Sequence, residues 1–430
     1  MTSAAAASIS VQTAGRSARL WATVFAHAAV DFFSFIVVPL MSVLEGRVQM
    51  SHAQGAVILA AGSLSSGLIQ PVVAWLSDRF DTRAVGTLGF LVAVIAIGLV
   101  GYAGSFNQLL LLQVLGAGGI GAFHPVAAAA VGQLAAPRRS RGVALFYAAG
   151  MVGGTLGNIT APVYVSVAGG TGRGEADTVA GLHALAWLIL PGLVCVALLA
   201  WAIHSVPHRD HGAHRLHAEL PAQQRRQRWR AVWLLYAGNV LRFMVDMCLI
   251  QLIIRWTEWQ AMRAAGTEVL TAAIRADASH LNGPLQAAKQ VGMGAGGIAM
   301  GFLLRPRHEK RVLIWVPIAG AAVVALMPHF AGWTALLVCG LAGVGYAGVV
   351  PTTISLAQRL LPHRTSLASG LMMGGAWSIA SVGPLLAQFL LERFGLGGAF
   401  ACVGVLLIGA GVLAAWLPAR LVDPADRPGV

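Results

Sequence analysis

Twelve apolar stretches run through this chain, and its Lys and Arg residues fall almost entirely into every second gap between them. A helix needs about 20 apolar residues to cross the hydrocarbon core of a bilayer. Basic residues in short loops stay on the cytoplasmic side. The pattern therefore predicts an all-α integral membrane protein with helices near 19–45, 52–77, 84–104, 107–135, 140–168, 181–206, 231–258, 281–304, 311–329, 333–361, 364–391 and 395–418. One set of gaps holds Arg16 and Arg19, Arg79 and Arg83, Arg138, Arg139 and Arg141, the arginines from Arg209 to Arg230, Arg305, Arg307, Lys310 and Arg311, Arg359 and Arg364, and Arg420 and Arg427. The other set holds few, with Arg47, Arg173, Arg263, Arg275 and Arg393 as the clear cases. An even span count with both termini in the cytoplasm follows, in the inner (plasma) membrane.

Composition excludes other classes. Apolar residues make up 57% of the chain and charged ones 10%, too oily for a soluble domain of 430 residues. The net charge of +13 does not indicate a nucleic-acid partner, because the basic residues sit in short loops where topology accounts for them. The expected surroundings are the lipid bilayer. Cys195, Cys248, Cys339 and Cys402 all lie in apolar stretches and show neither metal-ligand spacing nor a disulfide framework. The Ala/Ser-rich start leads into a full-length span rather than a cleavable signal peptide. No G-x-x-x-x-G-K-[ST], H-E-x-x-H or G-x-S-x-G occurs, so neither ATP-driven chemistry nor an enzyme is expected, and no cofactor. His204, His208, His211, His214 and His217 crowd the central gap, but a solvated linker without cysteine is expected there, and no metal site.

The longest polar gap divides the chain. A tail (1–18) precedes a first six-helix bundle (19–206), a cytoplasmic linker (207–230), a second bundle (231–418) and a C-terminal tail (419–430). The halves echo each other. His27-Ala-Ala-Val-Asp31 lines up with Arg242-Phe-Met-Val-Asp246, and Gly116-Ala-Gly-Gly-Ile-Gly121 before Pro125 with Gly340-Leu-Ala-Gly-Val-Gly345 before Pro351. Two pseudo-symmetric bundles place a solute site between them near the membrane midplane. The external gap from Thr257 to His280 reads as an amphipathic surface helix, with Trp259, Met262, Val269, Leu270 and Ile274 opposed to Arg263, Glu268, Arg275 and Asp277.

The loop after the second span reads Ala74-Trp-Leu76-Ser-Asp78-Arg79-Phe-Asp81-Thr-Arg83. It resembles the signature G-x-L-A-D-R-x-G-R-K of the major facilitator superfamily at Leu76, Asp78, Arg79 and Arg83, and departs at Ala74, Asp81 and Thr82. Those acid and base positions are expected to latch one conformation. The equivalent loop of the second half carries Arg305 in place of the acid. Within the superfamily, residues 20–165 resemble the fosmidomycin-resistance-type efflux proteins, through His27 with Asp31, Gly-Ile-Gly-Ala-Phe-His124-Pro125 and Arg138-Arg-Ser-Arg-Gly142. The resemblance implies a monomer moving small molecules and protons by alternating access, with helices 1, 4, 7 and 10 lining the path. The helix-4 arginine of many proton antiporters is absent, with Gln113 nearest its place.

Ionisable groups in hydrocarbon are costly and face a cavity or a partner. Asp31 is the expected proton carrier, with His27 or His124 as relay, since burial brings carboxylic acids and imidazoles toward a range where a proton can be exchanged. Arg242, Asp246 and Lys289 are the expected substrate contacts. Arg242 lies one turn from Asp246 and is a candidate partner for it, and Lys289 with Arg242 offers positive charge to an anion. Arg255 is expected to snorkel to the interface. His124-Pro125 reads as a helix break. The leading function is proton-coupled efflux of small organic or anionic compounds, drugs included. Symport uptake of a carboxylate or phosphonate is the alternative, and a non-transporting receptor or scaffold the reading from another class.

Overall fold

The computed structural model describes residues 3–77, 80–135, 139–170, 174–204, 206, 222–361, 364–418 and 421. Among them the chain is almost wholly helical, with no strand. The first half contributes α1 (Gly15–Val48), α2 (His52–Ser77), α3 (Arg83–Tyr102), α4 (Phe106–Leu134), α5 (Arg139–Gly169) and α6 (Glu175–Ile203). The second contributes α7 (Ala222–Ala265), α8 (Ala272–Leu303), α9 (Glu309–His329) and α10 (Gly332–Leu360). A last helical run, Leu367–Ala415, breaks at Gly395 into α11 (367–394) and α12 (396–415). Gly395 sits at φ 65° and ψ −179°, a backbone only glycine adopts without strain, so the chain reverses there without a loop. Ten runs qualify as membrane spans by length and apolarity. The last run holds two crossings, and α8 is more polar, carrying Asn282, Gln286, Lys289 and Gln290 in its middle. Twelve crossings result.

Successive helices alternate in direction, which sets a termini face (helix ends at 15, 77, 83, 134, 139, 203, 222, 303, 309, 360 and 415) against a far face (48, 52, 102, 106, 169, 175, 265, 272, 329, 332 and 395). Within the first bundle α1 packs on α5, and α4 on α2 and α3; within the second α7 packs on α11 and α12, α8 on α10, and α9 on α12. Close approach needs small residues, since apolar surface gains little from leaving lipid. A Cβ at Gly119 of α4 would overlap the Gly89 carbonyl of α3 and stand 2.9 Å from the Ala93 nitrogen. The halves meet where α8 crosses α5 and the far end of α1, and where α2 meets α11. One apolar cluster runs through the first bundle and on into Phe243, Met247, Ile250 and Ile254 of α7. Most exposed tryptophans lie toward one end of their helices, Trp21, Trp75, Trp201, Trp233, Trp315 and Trp416 toward the termini face and Trp259 and Trp333 toward the far face, while Trp187 is exposed within α6. Indole rings settle at the headgroup level, so the two end groups mark the edges of the bilayer.

Three expectations need correction. No separate surface helix spans 257–280. Residues 257–265 continue α7, the chain turns at Gly266 (φ 64°), and α8 begins at Ala272. Part of the apolar side is covered in the hairpin instead, where Ala261, Ile274 and Ala278 pack with Met262 and Leu270, while Trp259 and Val269 stay exposed. Helix α4 is not broken at His124-Pro125; it is continuous from Phe106 to Leu134. Helix α7 starts at Ala222, inside the expected linker. The remaining linker histidines, His208, His211, His214 and His217, lie outside the described residues.

Candidate functional site

Asp31 stands at mid-depth in α1, 7% exposed, just before regular helix lapses at Phe35 and resumes at Val37. Two histidines flank it. His27, one turn earlier, places Nε2 3.4 Å from Oδ2, and His124 of α4 places Nε2 3.3 Å from Oδ1. The other nitrogen of each ring faces a carbonyl: His27 Nδ1 lies 2.6 Å from the Phe146 oxygen of α5, and His124 Nδ1 lies 2.8 Å from the Ile120 oxygen of its own helix. A carbonyl only accepts, so both Nδ1 atoms carry hydrogen. Both Nε2 atoms therefore aim at a carboxylate, and acceptor facing acceptor repels unless a proton lies between. A hydrogen between each ring and the carboxyl group would satisfy both contacts. His27 is fixed by stacking on Phe146, 3.7 Å between ring centroids and 14° from parallel. His124 meets His27 edge-on at 5.1 Å. Its side chain is 26% exposed, against 6% for His27 and 10% for Asp31, so His124 is the least covered of the three.

The second half answers with a different set. Asp246 of α7 accepts from Lys289 Nζ of α8 and from the Tyr346 hydroxyl of α10, both at 2.7 Å on Oδ1. Lys289 and Asp246 are both buried, a pairing that offsets two desolvation penalties. Arg242 does not join them. Its Nη1 donates to Asn239 Oδ1 at 3.2 Å and its Nη2 to the Leu313 carbonyl of α9 at 3.4 Å. The expected Arg242–Asp246 pair is not made: equal helical spacing puts two side chains on one face without making them point at each other. Asn239 in turn donates to Thr353 Oγ1 of α10 at 2.8 Å. Between the halves, Asn158 of α5 approaches Gln290 of α8 at 3.5 Å. Asn158 Oδ1, Gln290 Nε2 and Gln286 Oε1 are buried without a hydrogen-bond partner, a costly state that a polar solute would relieve.

Asp78 and Arg79 lie outside the described residues. Arg83 donates through Nε to Asp81 at 2.9 Å and 3.0 Å, and through Nη1 to the carbonyls of His204 and Val206, tying the loop to the end of α6. Arg255 departs from expectation. It does not snorkel; it is 5% exposed and gripped by Glu45 of α1 and Glu258 of its own helix. Sequence reading missed Glu45. The available signal was an acid closing one span and an arginine near the far end of another, at matching depth. His27, Asp31 and His124 bring three side chains of metal-binding type within 4.8 Å of one another, and so do Glu45, His52 and Glu258, whose centre is filled by Arg255. Such grouping alone assigns no metal.

Two membrane-spanning bundles, each with buried charges answered within its own half and joined by polar contacts of α8 with α1 and α5, have the build of a membrane transport protein. The family model of the Major Facilitator Superfamily matches residues 23–382, and the chain belongs to that family. It is a transporter family, and the chain is not an enzyme. The chain is 23% identical over 380 residues to the "Fosmidomycin resistance protein" of Escherichia coli (strain K12), covering 87% of this chain and 86% of that one. It is 24% identical over 408 residues to the "Probable sulfoacetate transporter SauU" of Cupriavidus necator, covering 89% and 90%. Among solved structures, a bacterial homolog of the human lysosomal transporter Spinster, in an inward-facing and occupied conformation, superposes with a TM-score of 0.72 at 16% identity, covering 96% of this chain and 98% of that one.

Proposed function

We propose that the protein is a proton-coupled secondary transporter that exports small organic or anionic compounds, drugs included, from the cytoplasm by alternating access. It acts as a monomer in the inner membrane, with both termini cytoplasmic and the halves divided at about 207–230. The observation that carries the reading is Asp31 between two imidazoles whose Nδ1–H bonds are spent on carbonyls. Asp31 holds the transported proton, His124 relays it to water, and His27 positions the carboxyl group. Asp246 holds Lys289 until the solute anion displaces it, and Arg242 acts on the solute indirectly, through Asn239. Asp78, Arg79 and Arg83 latch the cytoplasmic side. The relatives named for fosmidomycin resistance and sulfoacetate support a small organic cargo. With the termini inside, the tight far face makes this state closed to the outside.

The test uses the purified protein in vesicles with an imposed pH gradient and a panel of anionic and neutral solutes. Wild type is expected to exchange protons for solute out of the cytoplasmic side. Asp31→Asn is expected to reduce gradient-driven flux to that of empty vesicles at normal expression. Unchanged proton-driven flux in the variant defeats the coupling role, and solute moving inward together with protons replaces export by symport uptake.

A further inference from the structure

Five charged or titratable side chains meet on the far face where the halves touch. Glu45 of α1 and His52 of α2 come from the first half; Arg255 and Glu258 of α7 and Arg275 of α8 come from the second. Arg255 grips Glu45 through both terminal nitrogens, Nη1 standing 2.8 Å from Oε2, and reaches Glu258 at 2.7 Å. Arg275 lies 3.7 Å from Glu45 and 4.0 Å from Glu258, and donates to the Ser42 carbonyl at 2.9 Å. Nearby, Ser279 donates to the Pro39 carbonyl at 2.7 Å and Asn282 to the Val38 carbonyl at 3.1 Å, extending the seam along α8.

Opening this face divides the cluster unequally. Arg255 and Arg275 leave together and keep Glu258, which belongs to their own half. Glu45, with no exposed side-chain surface, loses both guanidinium groups. Opening lets water reach the freed carboxylate, and a cation of its own half then competes with that water for it. Among the described residues, the ion pair that Glu45 keeps within its own half is with His52, whose Nδ1 is 2.9 Å from Glu45 Oε2 and whose side chain is 41% exposed. His52 Nδ1 also contacts Arg255 Nη1. These two contacts exclude each other chemically. Nδ1 accepts from Arg255 only when bare and donates to Glu45 only when it carries hydrogen; the neutral Nε2–H tautomer keeps Nδ1 bare, whereas imidazolium always carries Nδ1–H. Imidazolium would also repel Arg255. Both effects act in one direction: a proton on His52 weakens the closed seam and supplies Glu45 with a cation in the open one.

We propose that this cluster is a proton-operated latch: protonation of His52 transfers Glu45 from Arg255 to His52, so that acid on the far face opens the transporter toward that side. The latch rests on the alternating-access reading but not on the role of Asp31. For an exporter it couples external acidity to the step that exposes cargo to the outside and Asp31 to the protons it must load. Histidine changes charge between pH 5 and 8, the range in which such a gradient operates.

Hydrogen–deuterium exchange of the full-length protein in lipid nanodiscs tests this at pH 5.5 and 7.5, with intrinsic amide rates corrected for pH. The readout is the far-face half of α8, residues 272–286, which the first half covers in the closed state. In wild type its exchange is expected to rise several-fold on acidification. His52→Gln should remove the rise, and His52→Arg and Glu45→Gln should give fast exchange at both pH values. Asp31→Asn should keep the acid response although its flux is lost. A wild-type rate that ignores pH overturns the latch. So does an acid response that survives in His52→Gln but disappears in Asp31→Asn, since the central cluster would then be the sensor.

Discussion

Ion pairs decide the roles of single residues in this protein. Lys289 and Arg242 look alike in sequence, two cations in apolar spans near Asp246. Lys289 is 2.7 Å from Asp246, whereas Arg242 turns to Asn239 and a carbonyl of α9. Solute binding is therefore expected to depend on Lys289 directly. A charge-assisted hydrogen bond contributes about 1.5–3 kcal/mol, so Lys289→Ala should raise the half-saturation concentration for anionic solutes by about ten- to hundredfold and leave neutral solutes nearly unchanged. Competition assays with matched anionic and neutral compounds check this; equal losses for both would remove charge recognition. The His124 carbonyl bond carries a second expectation. His124→Gln keeps a hydrogen-bonding side chain but no titratable one, so solute binding should persist while proton release accompanying it, read with a pH dye, falls markedly. Asp31, His27 and His124 were legible as a cluster because His27 and Asp31 sit one helical turn apart and all three are ionisable in oil. The tautomer argument was not legible, because it depends on which carbonyls face the rings.

Helix placement was legible to within a few residues wherever a loop is short, and failed where two helices extend past the membrane. The stretch 257–280 shows why. An amphipathic pattern says that one side is covered but not by what, and here the ends of α7 and α8 cover each other in part. Proline gave a similar lesson in α4, where the helix runs on through Pro125 from Phe106 to Leu134. Contacts between helices depend on glycine backbone. Gly119→Val would force α4 away from the Gly89 carbonyl of α3, and overpacking of this kind costs about 1–3 kcal/mol. The expected result is a lower melting temperature and a lower folded yield in detergent, with solute affinity of the surviving protein unchanged, measurable by thermal unfolding with ligand titration.

At the scale of the molecule, the alternating basic loops and the two end groups of tryptophans agree on how the chain sits in a bilayer. Single cysteines test the orientation. A membrane-impermeant thiol reagent added outside intact cells should label Ala264→Cys on the far face and leave Gln223→Cys on the termini face unlabelled until the cells are opened. The reverse pattern would invert the orientation and with it the sense of the latch. Membrane insertion, span number, the division into halves and the central ionisable residues all follow from the sequence by itself, because bilayer thickness and the cost of charge in oil act on each segment locally. Which charge answers which was decided only by tertiary structure. Glu45 and Arg255 are 210 positions apart, and Asp246 and Lys289 are 43 apart on different helices. Electrostatic partners are chosen by distance and direction in the folded bundle, and helical periodicity within one span carries information about neither.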